Sequence, residues 1–380
     1  MVQLSRMFVN TTVRTVVNLV NTDTSTVIEA VILFGFSLPI SLFGLVSNVI
    51  NIVVFLKIGV KDPVSVSLVG LFVADFVFLL LAFYRPVAEL LVWSGAASSW
   101  VIHPKTVQVI AASYVSTFYL VSTLLTTYIS LARCLCVALA FKFQRIFTLT
   151  QARLVVVSIY VFAGLSHVPQ ILAKTLVWRY KAHPDNTTSS FLVLTKSSNF
   201  ESLWAFHNIV NRTVVPYSCL AICVLCLIVL SVKLRSASEF RSHATTATTT
   251  TTTTATPNST RNRNTTATNC ADDFSQTSEK PKTKPQTTTS NLNVKEIQLM
   301  KAVFLLCAIF VSTATIRAAM GLALAIFPQL QTHERYKNVH TICTSLVAAF
   351  MAFNCAVNFF IFYFFNTKYR QTLGVFYEKV

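Results

Sequence analysis

Seven long apolar stretches dominate this chain and leave it few ways to fold. A helix needs roughly 20 mainly apolar residues to cross the hydrocarbon of a bilayer. Inside that layer every backbone N–H and C=O must find its partner within the segment, which an α-helix provides. Residues 28–57, 65–92, 106–138, 152–174, 206–234, 296–327 and 339–365 meet the requirement. They predict an all-α membrane protein, a seven-transmembrane helix bundle over 28–365. Only 12% of the 380 residues are charged, against about a quarter in soluble domains, which excludes an ordinary soluble enzyme. Lys and Arg number 31 against 14 Asp and Glu, a net charge of +17. The bases lie between and beside apolar runs, with no single patch interleaved with stacking aromatics, so no nucleic-acid partner is expected. The nine cysteines are scattered singly and imply neither a zinc site nor a disulfide framework.

The first 27 residues never gather a continuous apolar core before a small-residue cleavage site, so they are expected to form a short extracellular tail rather than a signal peptide. Orientation follows the bases in short loops. With the N-terminus outside, Lys57, Lys61, Arg133, Lys142, Arg145, Arg153, Lys368, Arg370 and Lys379 fall inside, in a plasma-membrane, multi-pass topology. The sequons at Asn10 and Asn186 then face outward and could be glycosylated. Those at Asn258 and Asn264 would stay in the cytoplasm. Residues 236–292 are Thr-rich and of low complexity, which predicts a disordered third cytoplasmic loop, either a phosphorylatable linker or a plain spacer. Residues 366–380 place Tyr369, Leu373, Phe376 and Tyr377 near one helical face, as in a short amphipathic helix lying on the inner leaflet.

A charge near mid-membrane costs about 2.5–3.5 kcal/mol on insertion scales, so polar residues within the spans are informative. They include Asp75 in the second, Arg133 at the inner end of the third and Glu296 opening the sixth. Arg85 and Arg317 lie in outer halves, and Asn48, Asn354 and Asn358 are uncharged. With GLVSN ending at Asn48, LFVADF containing Asp75 and YISLARCLCVALAFKF containing Arg133, the chain resembles a class A (rhodopsin-like) G-protein-coupled receptor. Pro169, Pro216, KEIQLMK leading to Phe310, and NCAVNFFIFYFFNTKYRQTL extend the resemblance over all seven spans. The segments CLCVALAFKF and NTKYRQTL look most like the orphan, chemosensory-type receptors of molluscs.

The departures are as specific as the matches. Ala132 and Cys134 flank Arg133 where the family has an acid and a tyrosine, and Ala314 and Ile316 replace the helix-six tryptophan and proline. Phe359 and Phe362 replace the proline and tyrosine of the helix-seven motif, and Val224 the helix-five tyrosine. Neither 93–118 nor 175–205 holds a cysteine, so the family's outer disulfide is absent at both ends.

The resemblance implies that Arg133 pairs with Glu296 in a resting-state lock over the G-protein site. The alternative is two unrelated charges snorkelling at an interface. It implies a sodium ion as allosteric ligand at Asp75, with Ser122, Asn354, Asn358 and nearby Asn48, the alternative being a structural hydrogen-bond network. Arg85 and Arg317 could form a basic subsite in the outer cavity or snorkel outward. Val115 stands where aminergic relatives carry an aspartate, which disfavours a biogenic amine. The seventh span offers no lysine for retinal. The expected function is to bind an extracellular ligand, a peptide or a small anionic molecule, and to activate a heterotrimeric G protein, with no enzyme activity of its own. Receptor kinase and arrestin are expected to act through the Thr-rich third loop, and membrane lipid surrounds the bundle. A poorly signalling receptor-fold protein, acting as decoy or dimer partner, is the alternative. A transporter would be expected to show repeats and broken helices.

Overall fold

The computed structural model describes residues 20–96, 100–138, 147–182, 188–251, 294–327, 330 and 336–377. Seven helices are long and apolar enough to cross a membrane. They are α1 (Thr22–Ile58), α2 (Pro63–Trp93), α3 (Pro104–Ala138), α4 (Leu149–Leu172), α5 (beginning at Phe200 and ending at Thr251), α6 (Val294–Ile326) and α7 (Lys337–Phe365). A short α8 (Thr367–Tyr377) follows. Between α4 and α5 the chain forms an antiparallel hairpin of β1 (Lys174–Ala182) and β2 (Thr188–Lys196).

Local chemistry sets the helix ends. The Asp62 carboxylate accepts from the Ser65 amide at 3.0 Å and caps α2. Thr148 and Gln151 form a reciprocal capping box on α4, and Gly59, at φ +92°, ends α1 in a conformation that favours glycine. Two wide turns have a shared cause. The π-helical segments Val31–Ser37 and Asn208–Val214 each end two residues before a proline, Pro39 and Pro216. Proline donates no amide and crowds the carbonyl four residues back, and widening the preceding turn relieves both problems.

Burial inverts that of a water-soluble bundle. Leu154, Val157, Val161 and Leu165 form an exposed apolar stripe along α4. Such a stripe belongs in hydrocarbon, as expected of a multi-pass membrane protein. The central core joins Leu68 and Phe72 of α2, Leu125 and Ile129 of α3, Leu306 of α6, Phe362 of α7 and Tyr369 of α8.

Three sequence expectations are corrected. The tail expected over 1–27 already belongs to the bundle from residue 20: α1 starts at Thr22, and the Val20 carbonyl accepts from Asn338 of α7 at 2.9 Å. α5 continues to Thr251, into the stretch expected to be disordered, because extending an existing helix fixes one residue per added hydrogen bond, whereas a new helix needs a nucleus. Residues 252–293 lie outside the described residues. Finally, Tyr369 and Leu373 of α8 face the bundle core rather than the leaflet. The Tyr369 hydroxyl donates to Asn51 Oδ1 of α1 at 2.7 Å; the side chains of Phe376 and Tyr377 lie outside the described residues.

Candidate functional site

The helices diverge at one end around a cavity of about 960 Å³, within the size range of small-molecule sites. Val115, Arg85 and Arg317 all line it, as do Lys174, Arg212 and Trp204. Arg317 stacks over the Tyr119 ring, its guanidinium carbon 4.8 Å from the centroid. Arg85 has another occupation. Its Nη2 donates to Glu29 Oε1 of α1 at 2.7 Å and to Ser345 Oγ of α7 at 2.6 Å, and Ser345 Oγ donates to the same Glu29 oxygen at 3.3 Å. Arg85 therefore clasps α1, α2 and α7 together, and its charge is answered within the protein. Both arginines of the expected basic subsite line the cavity, and Arg85 is the one already paired within the protein. Glu89, one turn further along α2, pairs with Lys105 at 3.4 Å.

The sequence reading missed Lys174 and Arg212. Arg212 lies on the π turn before Pro216, with Nη1 3.5 Å from Asn208 Oδ1. Lys174 opens β1 with its ammonium 5.8 Å from the Trp204 ring centroid, and burial holds that ammonium below its usual pKa. Behind them, His167 of α4 and His207 of α5 meet edge to face at 5.1 Å. Asn211 donates to the Ser166 carbonyl at 2.6 Å and fastens the two helices.

Below the cavity floor lies Asp75, fully buried. Ser122 Oγ donates to its Oδ1 at 2.6 Å and Asn358 Nδ2 to its Oδ2 at 2.7 Å, so α2, α3 and α7 converge on one carboxylate. Asn48 is anchored elsewhere: its amide donates to the Gly44 carbonyl at 2.8 Å and the Cys355 carbonyl at 3.0 Å. Asn354 is buried and, among the described residues, adds no hydrogen bond to the carboxylate. For a sodium ion, the Asn358 amide would have to turn its oxygen inward, since it now presents its NH₂ group. Two donors already answer both oxygens of Asp75, so the hydrogen-bond network accounts for this burial without an ion.

At the far end, Arg133 lines a second cavity of about 230 Å³ together with Asp62 and Ser65 of the α1–α2 junction, Leu299 of α6, and Asn366 and Lys368 at the α7–α8 junction. The backbone of Glu296 sits on α6, but its side chain lies outside the described residues, as do Asn10 and Asn186.

Fold and sites together define a multi-pass helical bundle with a basic cavity at one end, a buried polar junction at its middle and an arginine crevice at the other. No family model matches the chain, and no curated protein is similar enough to it to count as a relative.

Proposed function

We propose that this chain is a G-protein-coupled receptor of the rhodopsin-like class, set in the plasma membrane with its N-terminus outside. It binds a ligand in the outer cavity and activates a heterotrimeric G protein at the Arg133 end, with receptor kinase and arrestin acting on the third inner loop. The single observation that carries this reading is a continuous buried column between the two cavities. It starts at Tyr119, which lines the large cavity and packs against Phe78 at 5.6 Å. One helical turn further along α3, Ser122 holds Asp75, which Asn358 ties to α7. Phe362, one turn beyond Asn358, meets Phe55 and Phe72 edge to face at 5.3 and 5.5 Å, and Phe55 also lines the Arg133 crevice. A ligand that binds two arrangements of this column unequally shifts the balance between them, and with it the shape of the crevice. A chemosensory role fits this architecture, with the ligand read in the basic cavity.

The test is basal coupling across a panel of G-protein subtypes, comparing the unaltered chain with Arg133→Ala and Glu296→Ala at matched surface expression. Signal is expected to fall in the first variant and rise in the second. Silence in all three would overturn the coupling assignment in favour of a receptor fold that binds without signalling.

A further inference from the structure

Three cations at the large cavity have no carboxylate partner among the described residues. Lys174 enters from β1, Arg212 from α5 and Arg317 from α6. Among the described residues no Asp or Glu lines the cavity, and a fourth cation there, Arg85, is already held by Glu29. The three enter one cavity from three different elements, so their charges face a common space. Like charges gathered at the edge of an apolar bundle oppose folding unless something of opposite charge joins them. The apolar part of the lining includes Phe78, Val115, Phe310, Met351 and Ala352.

We infer that this cavity binds a small amphiphilic acid whose head group carries two negative charges, a phosphomonoester or a dicarboxylate. The head lies among Lys174, Arg212 and Arg317, and the apolar body lies against Phe310 and Met351. The two guanidinium forks suit paired oxygens on one head group. A single negative charge would leave two of the three cations unanswered, whereas a doubly charged head leaves one. Arg317 is already aimed, because the Tyr119 face supports its guanidinium and less side-chain freedom is lost on binding. The cavity's size suits a drug-sized molecule rather than a chain of acidic residues. This inference deepens the receptor reading and rests on it for the cavity's signalling role, but binding can be measured without any coupling.

The test uses four probes that share one ring system: 1-naphthyl phosphate, 1-naphthyl sulfate, 1-naphthol and 1-naphthylmethylamine. Affinity is measured by calorimetry on the purified full chain in phosphatidylcholine nanodiscs at pH 8, where the phosphate is doubly charged because its second pKa is about 6. Phosphate is expected to bind about tenfold tighter than sulfate, and sulfate about tenfold tighter than naphthol, as charge-assisted hydrogen bonds are added. Arg212→Gln and Arg317→Gln should each weaken phosphate binding by about tenfold or more while leaving naphthol unchanged. Arg317→Lys, which keeps the charge and loses the fork, guards against a folding defect in the glutamine variant. Raising the salt concentration should weaken phosphate binding to the unaltered chain.

Naphthol or the amine binding as tightly as the phosphate, no binding by any probe, or unchanged phosphate affinity in the double glutamine variant would overturn the site. Equal affinity for sulfate and phosphate would overturn the doubly charged head. Phosphate binding as expected in a chain that never couples to any G protein would remove the receptor reading and leave the anion site standing.

Discussion

Single residues settle how closely the helices approach, and Gly44 is the sharpest case. A Cβ placed there would stand 2.5 Å from Leu79 Cδ1 of α2 and 2.8 Å from the Ala356 Cβ of α7. The leucine can rotate away, but the alanine carbon is fixed to its backbone, so α1 and α7 would have to separate. Gly44→Val is expected to destabilise the bundle by about 1–3 kcal/mol, the usual range for overpacking, visible as a lower melting temperature in detergent. An unchanged melting temperature would mean that α1 does not sit this close to α7. At this scale the sequence was only partly legible. Asp75, Ser122 and Asn358 stand out because polar groups in apolar stretches are expensive, and the structure joins all three. The same argument applies to Arg212, inside the fifth stretch, and to Glu29, inside the first. Passing over them hides both a further cation of the cavity and the partner that neutralises Arg85. Lys174 was out of reach for another reason: it belongs to the cavity only because the hairpin after α4 starts there.

At the scale of elements, α7 shows how a helix can break without proline. Its regular run stops at Ala356 and resumes at Asn358, although Phe359 stands where the resembling family carries proline. Two α1 side chains serve the carbonyls at this joint. Asn48 Nδ2 donates to Cys355, and Ser47 Oγ reaches Ala356 at 3.4 Å. Carbonyls released from a helix within a membrane need such partners, so the break depends on α1 as much as on α7. Asn48→Ala is expected to cost about 1–3 kcal/mol, the range for leaving a buried acceptor unanswered. Hydrogen exchange should rise selectively around 353–360; uniform exchange across α7 would show that the joint holds itself. Apart from the earlier starts of α1 and α5 and the continuation of α5 to Thr251, element positions were legible to within a few residues, because twenty apolar residues in a row permit little else. The two π turns were not: the prolines were visible, but nothing local distinguishes a widened turn from a kink. The hairpin between α4 and α5 did have a signal, since Thr175, Val177, Trp178 and Tyr180 in β1 and Phe191, Val193 and Thr195 in β2 favour strands, but a search for membrane spans passes over it. β2 also donates from the Leu192 amide to the Val101 carbonyl at 3.0 Å, a backbone tie between this hairpin and the start of α3, the two regions that lack the outer cysteines.

For the proposed column to transmit, its parts must move as one body, and below the Asp75 junction the packing around position 362 is made of rings. Phe362 is fully buried, with its ring packed against Phe55, Phe72 and Tyr369. Val224, where the resembling family has the partner tyrosine, is 37% exposed. A tyrosine at 362 would place a hydroxyl among rings, and burying one without a partner costs about 1–3 kcal/mol by mutational data. Phe362→Tyr is therefore expected to lower the melting temperature without raising basal coupling. Val224→Tyr should be tolerated, and the double variant should match the sum of the two single changes, because separated sites without shared contacts add. Phe362→Ala should cost more, about 3–5 kcal/mol, through the cavity left among Phe55, Phe72 and Tyr369. Melting and G-protein coupling measured on all four variants decide the point. A double variant that signals more strongly than either single change, at unchanged stability, would show that the two positions meet in the active state, and that this chain is a weakened form of a hydroxyl-linked switch. Additive effects would mean that transmission from the cavity to the crevice runs through packed rings. Phe362 and Val224 would then need no hydroxyl, since the transmitting contacts are those among Phe55, Phe72 and Phe362.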